Sequence, residues 1–150
     1  MSRPYTVQRY RLNYVRETAR YDLDRRKITH KKDVDGLVRL YLRDRPVENV
    51  IIIALDNNMR IIGIIDHEGT VNQCSLYPRN VFTFLLGCGA ASFVVAHNHP
   101  GGTQQPSASD WSITNKLFEA GKALEIPMAD HMILADKTYI SLREYPQWPK

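Results

Sequence analysis

The chain has 150 residues, 43% hydrophobic and 24% charged, which suits one soluble globular domain with or without an appended arm. These values exclude wholesale disorder and leave too little chain for a second independent core. The longest apolar runs, Val50–Leu55 and Ala90–Ala96, fall far short of the roughly 20 residues that cross a bilayer, and no basic-then-apolar leader opens the chain, so a cytoplasmic protein without a membrane partner is expected.

The net charge of +4 is unevenly spread. Residues 1–45 hold 13 Lys/Arg against 6 Asp/Glu, a net of +7, whereas residues 46–150 hold 7 against 10, a net of −3. A basic N-terminal arm over residues 1–32, ahead of a domain over 33–150, is therefore expected. Such an arm can meet nucleic acid or another polyanion, or it can be a solvated helix face and linker. Cys74 and Cys88 form no Cys-x-x-Cys pair, and two reduced core thiols are expected.

Between Tyr5 and Val15, Tyr10, Leu12 and Tyr14 alternate with polar neighbours, as in a half-buried strand. From Asp33 to Arg45 the residues Val34, Leu37, Val38, Tyr41 and Leu42 recur at helical spacing, with Asp33 as N-cap and Pro46 closing the segment. Glu48–Asp56 and Arg60–Asp66, both rich in Ile or Val around Asn57-Asn58, read as a β-hairpin. Gly69-Thr70 leads into a further short extended piece. Pro78 then starts a helix through Val81, Phe82, Leu85 and Leu86, ended by Gly87 and Gly89.

Ala90–Ala96, apolar and bounded by glycine, reads as a strand buried on both faces. A turn-rich loop follows, then a helix from Ser107 or Ala108 to Ala123 with Ile113, Leu117 and Ala120 on its apolar side. Met132–Ala135 and Tyr139–Leu142 supply two closing strands around Asp136-Lys137, and the tail with Pro146 and Pro149 is expected on the surface. Adjacent strands with separated helices give an α/β (α+β) fold, a mixed sheet flanked by helices.

Chemistry concentrates after the buried strand. In extended backbone, residues i and i+2 project to one side, so His97 and His99 can present two imidazoles to one point while Asn98 faces away. Asp110, in the first turn of the following helix, can fold back beside them as a third ligand. Two imidazoles and one carboxylate leave a tetrahedral Zn²⁺ one open position, where water would have its pKa lowered to about 7. Glu48, entering the strand at Val50, is the candidate general base, and Ser107 can donate a hydrogen bond to an oxyanion. Each has a plainer alternative. Ser107 and Asp110 have capping-box spacing, the two histidines can be no more than hydrogen-bonded strand-end residues, and Asp130-His131 reads as a buried hydrogen-bonded pair more readily than as further ligands.

The string His97-x-His99-Pro100, six residues, Ser107, two residues, Asp110 resembles the signature of the JAMM (MPN+ or JAB) zinc metallopeptidases. Glu48-x-Val50-x-x-Ile53-x-Leu55-Asp56, Gly69-Thr70, Tyr77-Pro78-Arg79, Pro106-Ser107, Ala120-Gly121 and Asp130-His131 are similar to the RadC branch, so that the resemblance covers roughly residues 34–145. It implies a three-layer JAB/MPN fold like that of cytidine deaminases. It also implies one zinc ion held by His97, His99 and Asp110, with Glu48 as acid/base and Ser107 assisting the tetrahedral intermediate. Gly101, Asn80 and Val50 stand where RadC sequences usually have serine, glutamate and phenylalanine; none of these departures removes a ligand. The helix-hairpin-helix module common in full-length RadC proteins has no counterpart in the short basic arm.

The expected function is a zinc hydrolase acting on a peptide or isopeptide-linked protein substrate, with a homo-oligomer compatible. The alternative is a nucleic-acid-associated, DNA repair-linked module whose arm binds phosphates and whose site does not turn over. Base deamination lacks its His-x-Glu and Pro-Cys-x-x-Cys residues.

Overall fold

A computed structural model of the chain describes residues 27–28, 31–42, 45–68, 76–135 and 138–150. The run Asn-Val-Ile-Ile-Ile-Ala-Leu forms β1 (Asn49–Leu55), and every one of its side chains is buried. A strand covered on both faces needs no polar alternation, which is why its sequence reads as one continuous apolar run. β1 pairs antiparallel with β2 (Ile61–Glu68) on one side and with β3 (Ser92–His99) on the other. β3 pairs in parallel with β4 (Met128–Ala135), which pairs antiparallel with β5 (Thr138–Ser141), giving a five-stranded mixed sheet in the order β2-β1-β3-β4-β5. Parallel neighbours require a crossover connection, here containing α3 (Ala108–Ala123).

Helices cover both faces, making three layers as the resemblance implies. On one face Val50, Ile52 and Ala54 pack with Val95, with Val81, Phe82 and Leu85 of α2 (Pro78–Cys88), and with Ile113 and Leu117 of α3. On the other, Ile51, Ile53 and Leu55 meet Val34, Leu37, Val38 and Leu42 of α1 (Lys31–Leu42). Alternation along β1 thus sends neighbouring isoleucines into two separate cores. No helix among the described residues is long and apolar enough to cross a membrane.

Several expectations shift in detail. α1 begins at Lys31, so Asp33 lies in its first turn instead of capping it. Leu86 is exposed, Gly87 stays helical, and Gly89 alone ends α2, in the left-handed conformation that glycine adopts without steric cost. β3 starts two residues later than expected and runs on to His99, and β4 starts at Met128, so Asp130 and His131 lie within the strand. The tail is tied down in part, since Trp148 packs edge-on to Phe118 and Tyr145 to Trp111. Cys88 is partly buried, and its thiol donates to the Leu85 carbonyl. The expected strand around Tyr10–Tyr14, the extended piece after Gly69, Cys74, and the Asp136-Lys137 turn lie outside the described residues, as does nearly all of the arm. Ile28 is buried against the α1 core and its N–H donates to the Met59 carbonyl.

Gly121 permits the close approach between α3 and the turn after it. A Cβ there would lie 2.5 Å from the Ile126 carbonyl oxygen and 3.2 Å from the Phe93 ring. Gly121→Ala is expected to destabilise the protein by about 1–3 kcal/mol, the usual cost of overpacking. Gly36→Ala, where nothing lies within 4 Å of an added Cβ, is expected to stabilise α1 by roughly 0.5–1 kcal/mol. Urea unfolding of the two variants checks both signs.

Candidate metal centre

Along β3, Phe93 and Val95 face the core under α2 and α3, and the same alternation brings His97 and His99 to that side. His97 stands opposite Val50 in the antiparallel ladder. Glu48 comes two residues before Val50, just ahead of β1, and its charge is among the influences that raise the His99 imidazole. Glu48 is itself half-buried. Asn98, on the reverse face, is not idle: its Oδ1 accepts the Asn49 N–H at 2.7 Å, and its Nδ2 donates to the carbonyls of Val47 (3.1 Å) and Arg45 (3.4 Å). These bonds fasten the segment that carries Glu48 to the strand that carries the histidines.

The start of α3 supplies the third group. Ser107 is the N-cap; its Oγ accepts the Asp110 N–H at 3.1 Å, while Asp110 Oδ2 accepts from the Ser107 N–H and Oγ–H, both at 2.7 Å. The capping reading is therefore correct, with Asp in place of the usual Glu or Gln. It coexists with the ligand reading, because capping aims the same carboxylate at the histidines. Asp110 Oδ1 lies 3.2 Å from His97 Nε2, and Oδ2 lies 3.5 Å from His99 Nε2.

His97 Nε2 and His99 Nε2 are 3.0 Å apart. Ligand atoms about 2.0–2.1 Å from a tetrahedral cation are about 3.3 Å from one another, and the separation of the two imidazoles and the contact of each with its own Asp110 oxygen lie close to that value. His97, His99 and Asp110 thus form a cluster whose donor atoms fit one metal ion. The ring tautomers suit it. His99 Nδ1 lies 2.7 Å from the Thr103 carbonyl, which can only accept, so Nδ1 carries a proton and Nε2 faces the cluster.

The electrostatics follow from burial and contact. Burial pushes the Asp110 carboxyl up, but the hydrogen bonds from His97 and His99 outweigh it and hold the group well below the usual carboxylate range. The hydrogen bond with Asp110 raises the His99 imidazole against an opposing effect of burial. Burial pushes Asp130 up, although Ser141 Oγ and the His131 N–H both donate to it.

His131 was not among the residues that sequence reasoning placed in the site. It is fully buried, with Nε2 2.9 Å from His97 Nδ1 and Nδ1 2.7 Å from Thr114 Oγ1. A register shift between Phe93 and Val94 sets His131 opposite Val95 on the site face. Thr114 gave one signal, its four-residue spacing from Asp110 on a helix. The expected burial and hydrogen bonding hold for His131, whereas Asp130 is half-buried and meets it only by accepting the His131 N–H.

With this geometry in view, the comparisons are specific. The family model for the RadC-like JAB domain matches residues 28–147. A UPF0758 protein of Shewanella halifaxensis is 37% identical over 126 residues, 82% of this chain and 56% of that protein; one of Actinobacillus succinogenes is 37% identical over 134 residues, covering 85% and 60%. The chain belongs to the RadC-like JAB domain family. It spans a little over half the length of these relatives, whose names state no activity.

Burial holds His131 well below the ordinary histidine value of 6.5. As pH falls through about 6.5 the unfolded chain takes up this proton and the folded chain does not, so stability falls with pH, by up to about 1.4 kcal/mol per unit from this residue. The raised His99 works in the opposite sense and is common to parent and variant. In urea titrations of metal-free protein at pH 7 and pH 5, His131→Gln is expected to lose less stability between the two pH values than the parent.

Proposed function

We propose that this domain is a zinc-dependent hydrolase that cleaves a peptide or isopeptide bond in a protein substrate. The observation that carries the reading is the convergence of donor atoms of His97, His99 and Asp110 within 4.8 Å of one another, with Glu48 just ahead of the strand that pairs with the histidines. Two imidazoles and one carboxylate with an open fourth position are the donor set of a catalytic zinc, where oxygen-only cages favour magnesium or calcium. His97 and His99 through Nε2, and Asp110 through its carboxylate, would hold one ion. A zinc ion in that position supplies a Lewis acid and lowers the pKa of coordinated water to about 7.

The residues of the chain do the rest. Glu48 takes a proton from the attacking water and returns it to the leaving amine. Asn98 fixes the backbone on either side of Glu48, so the carboxylate is presented from an anchored strand end. Ser107 has a harder task, because its proton is directed at Asp110 Oδ2. To stabilise an oxyanion the hydroxyl rotates away from that carboxylate, which its exposed position allows. A second reading, phosphate binding by the basic N-terminal arm, is supported by the +7 charge of residues 1–45; binding of DNA would then weaken steeply with salt.

Glu48→Gln is expected to retain one zinc per chain and to lose turnover on a cleavable peptide or ubiquitin-like conjugate by at least about 10²-fold, the lower end of general acid–base contributions. Zinc retention with undiminished cleavage would remove Glu48 from the mechanism. Ser107→Ala separates two roles. Loss of an oxyanion donor lowers kcat by about 10²–10³, whereas loss of a cap alone costs about 0.5–2 kcal/mol of stability and leaves kcat near the parent value. Steady-state kinetics beside thermal unfolding reads both.

A further inference from the structure

Four hydrogen-bonding groups form a closed circuit behind the cluster. The backbone carbonyl of Asp110 lies 2.5 Å from Thr114 Oγ1, Thr114 Oγ1 lies 2.7 Å from His131 Nδ1, and His131 Nε2 lies 2.9 Å from His97 Nδ1. His97 Nε2 then faces the Asp110 side chain at 3.2 Å, returning the path to the residue where it began. Thr114, His131 and His97 are all fully buried, so water does not compete for these bonds.

The polarity of the circuit is fixed by one end. A carbonyl oxygen has no proton to give, and two oxygens 2.5 Å apart require a proton between them, so the single Thr114 hydroxyl proton points at the Asp110 carbonyl. Thr114 Oγ1 can then only accept from His131, which puts a proton on His131 Nδ1. A fully buried imidazole whose ring nitrogens face a hydroxyl and another imidazole, with no carboxylate in hydrogen-bond contact among the described residues, holds one proton and not two. His131 Nε2 is therefore an acceptor, and the proton on the 2.9 Å contact belongs to His97 Nδ1. His97 Nε2 is left facing the cluster, 3.2 Å from Asp110 Oδ1, as the ring nitrogen available to a metal ion.

We propose that Thr114 and His131 are positioning residues that set the tautomer and ring orientation of His97, so that its Nε2 is committed to binding a metal ion. The polarity originates in the backbone of Asp110, whose side chain is a second donor of the same cluster. One residue at the start of α3 thus sets both its own carboxylate and, through two relay side chains, an imidazole on a neighbouring strand. The inference rests on the metal-binding reading above, but the tautomer it assigns exists in the metal-free protein.

The test has two arms. In the metal-free parent at neutral pH, ¹⁵N NMR of the histidine rings is expected to find His97 and His131 both protonated at Nδ1, with His131 bare at Nε2; a bare Nδ1 on His97 or a proton on His131 Nε2 overturns the relay. Zinc affinity by chelator competition is expected to fall about 10–100-fold in Thr114→Val, which keeps the shape and loses the hydroxyl, and to be restored in Thr114→Ser. A folded Thr114→Val protein that binds zinc as tightly as the parent overturns the proposal. If Thr114→Val does not fold, the NMR arm on the parent decides alone. A parent that binds no zinc while showing the assigned tautomers defeats the hydrolase reading and leaves the relay standing.

Discussion

One buried carboxylate, that of Asp110, links the start of a helix to the end of a strand. An ionised side chain with 1% of its surface exposed is costly unless every lone pair is engaged, and Asp110 meets that condition with two donors from Ser107 and two imidazoles from β3. The capping box holds the carboxylate by its own helix, so the position of α3 over the sheet sets where the charge points. The histidines are held by the ladder of β3 with β1. The two arrangements meet at one place because α3 packs on the same face as the odd-numbered side chains of β3.

The remaining polar groups nearby serve that convergence. Asn98 spends its amide on the backbone around Glu48, and Thr103 accepts from His99, so each side of the strand end is fastened to a different loop. Thr114 and His131 fill positions that a purely apolar core would give to valine or leucine, yet they are fully buried and hydrogen-bonded. A satisfied buried network of this kind specifies one arrangement, since breaking any member leaves another buried group unpaired. The same sheet face farther from the cluster is conventional apolar packing, with Val50, Ile52 and Val95 beneath α2 and α3.

Reading the sequence in order recovers most of the architecture for identifiable reasons. The hairpin around Asn57-Asn58, the helix after Pro78 and the helix after Ser107 carry turn and cap residues at their ends, and the structure contains all three. Boundaries moved where a local cue had more than one use. Asp33 suits a first turn as well as a cap, and Leu86 continues an apolar run that the helix turns outward. Ser107 and Asp110 offered two local readings, capping or metal binding, and the carboxylate has oxygens enough to cap the helix and face the histidines together.

From the residues alone followed a mixed α/β sheet, the pairing of His97 with His99 on one side of a strand, and the presence of a carboxylate at the next helix start. Those are local properties, set by alternation of two and by the first turn of a helix. Tertiary structure decided that Asn98 fastens the backbone on either side of Glu48 to the histidine strand, and that His131 and Thr114 back His97. Such contacts join residues 17 to 53 positions apart, and no periodicity in a chain encodes the strand register or the helix placement that brings them within hydrogen-bond reach.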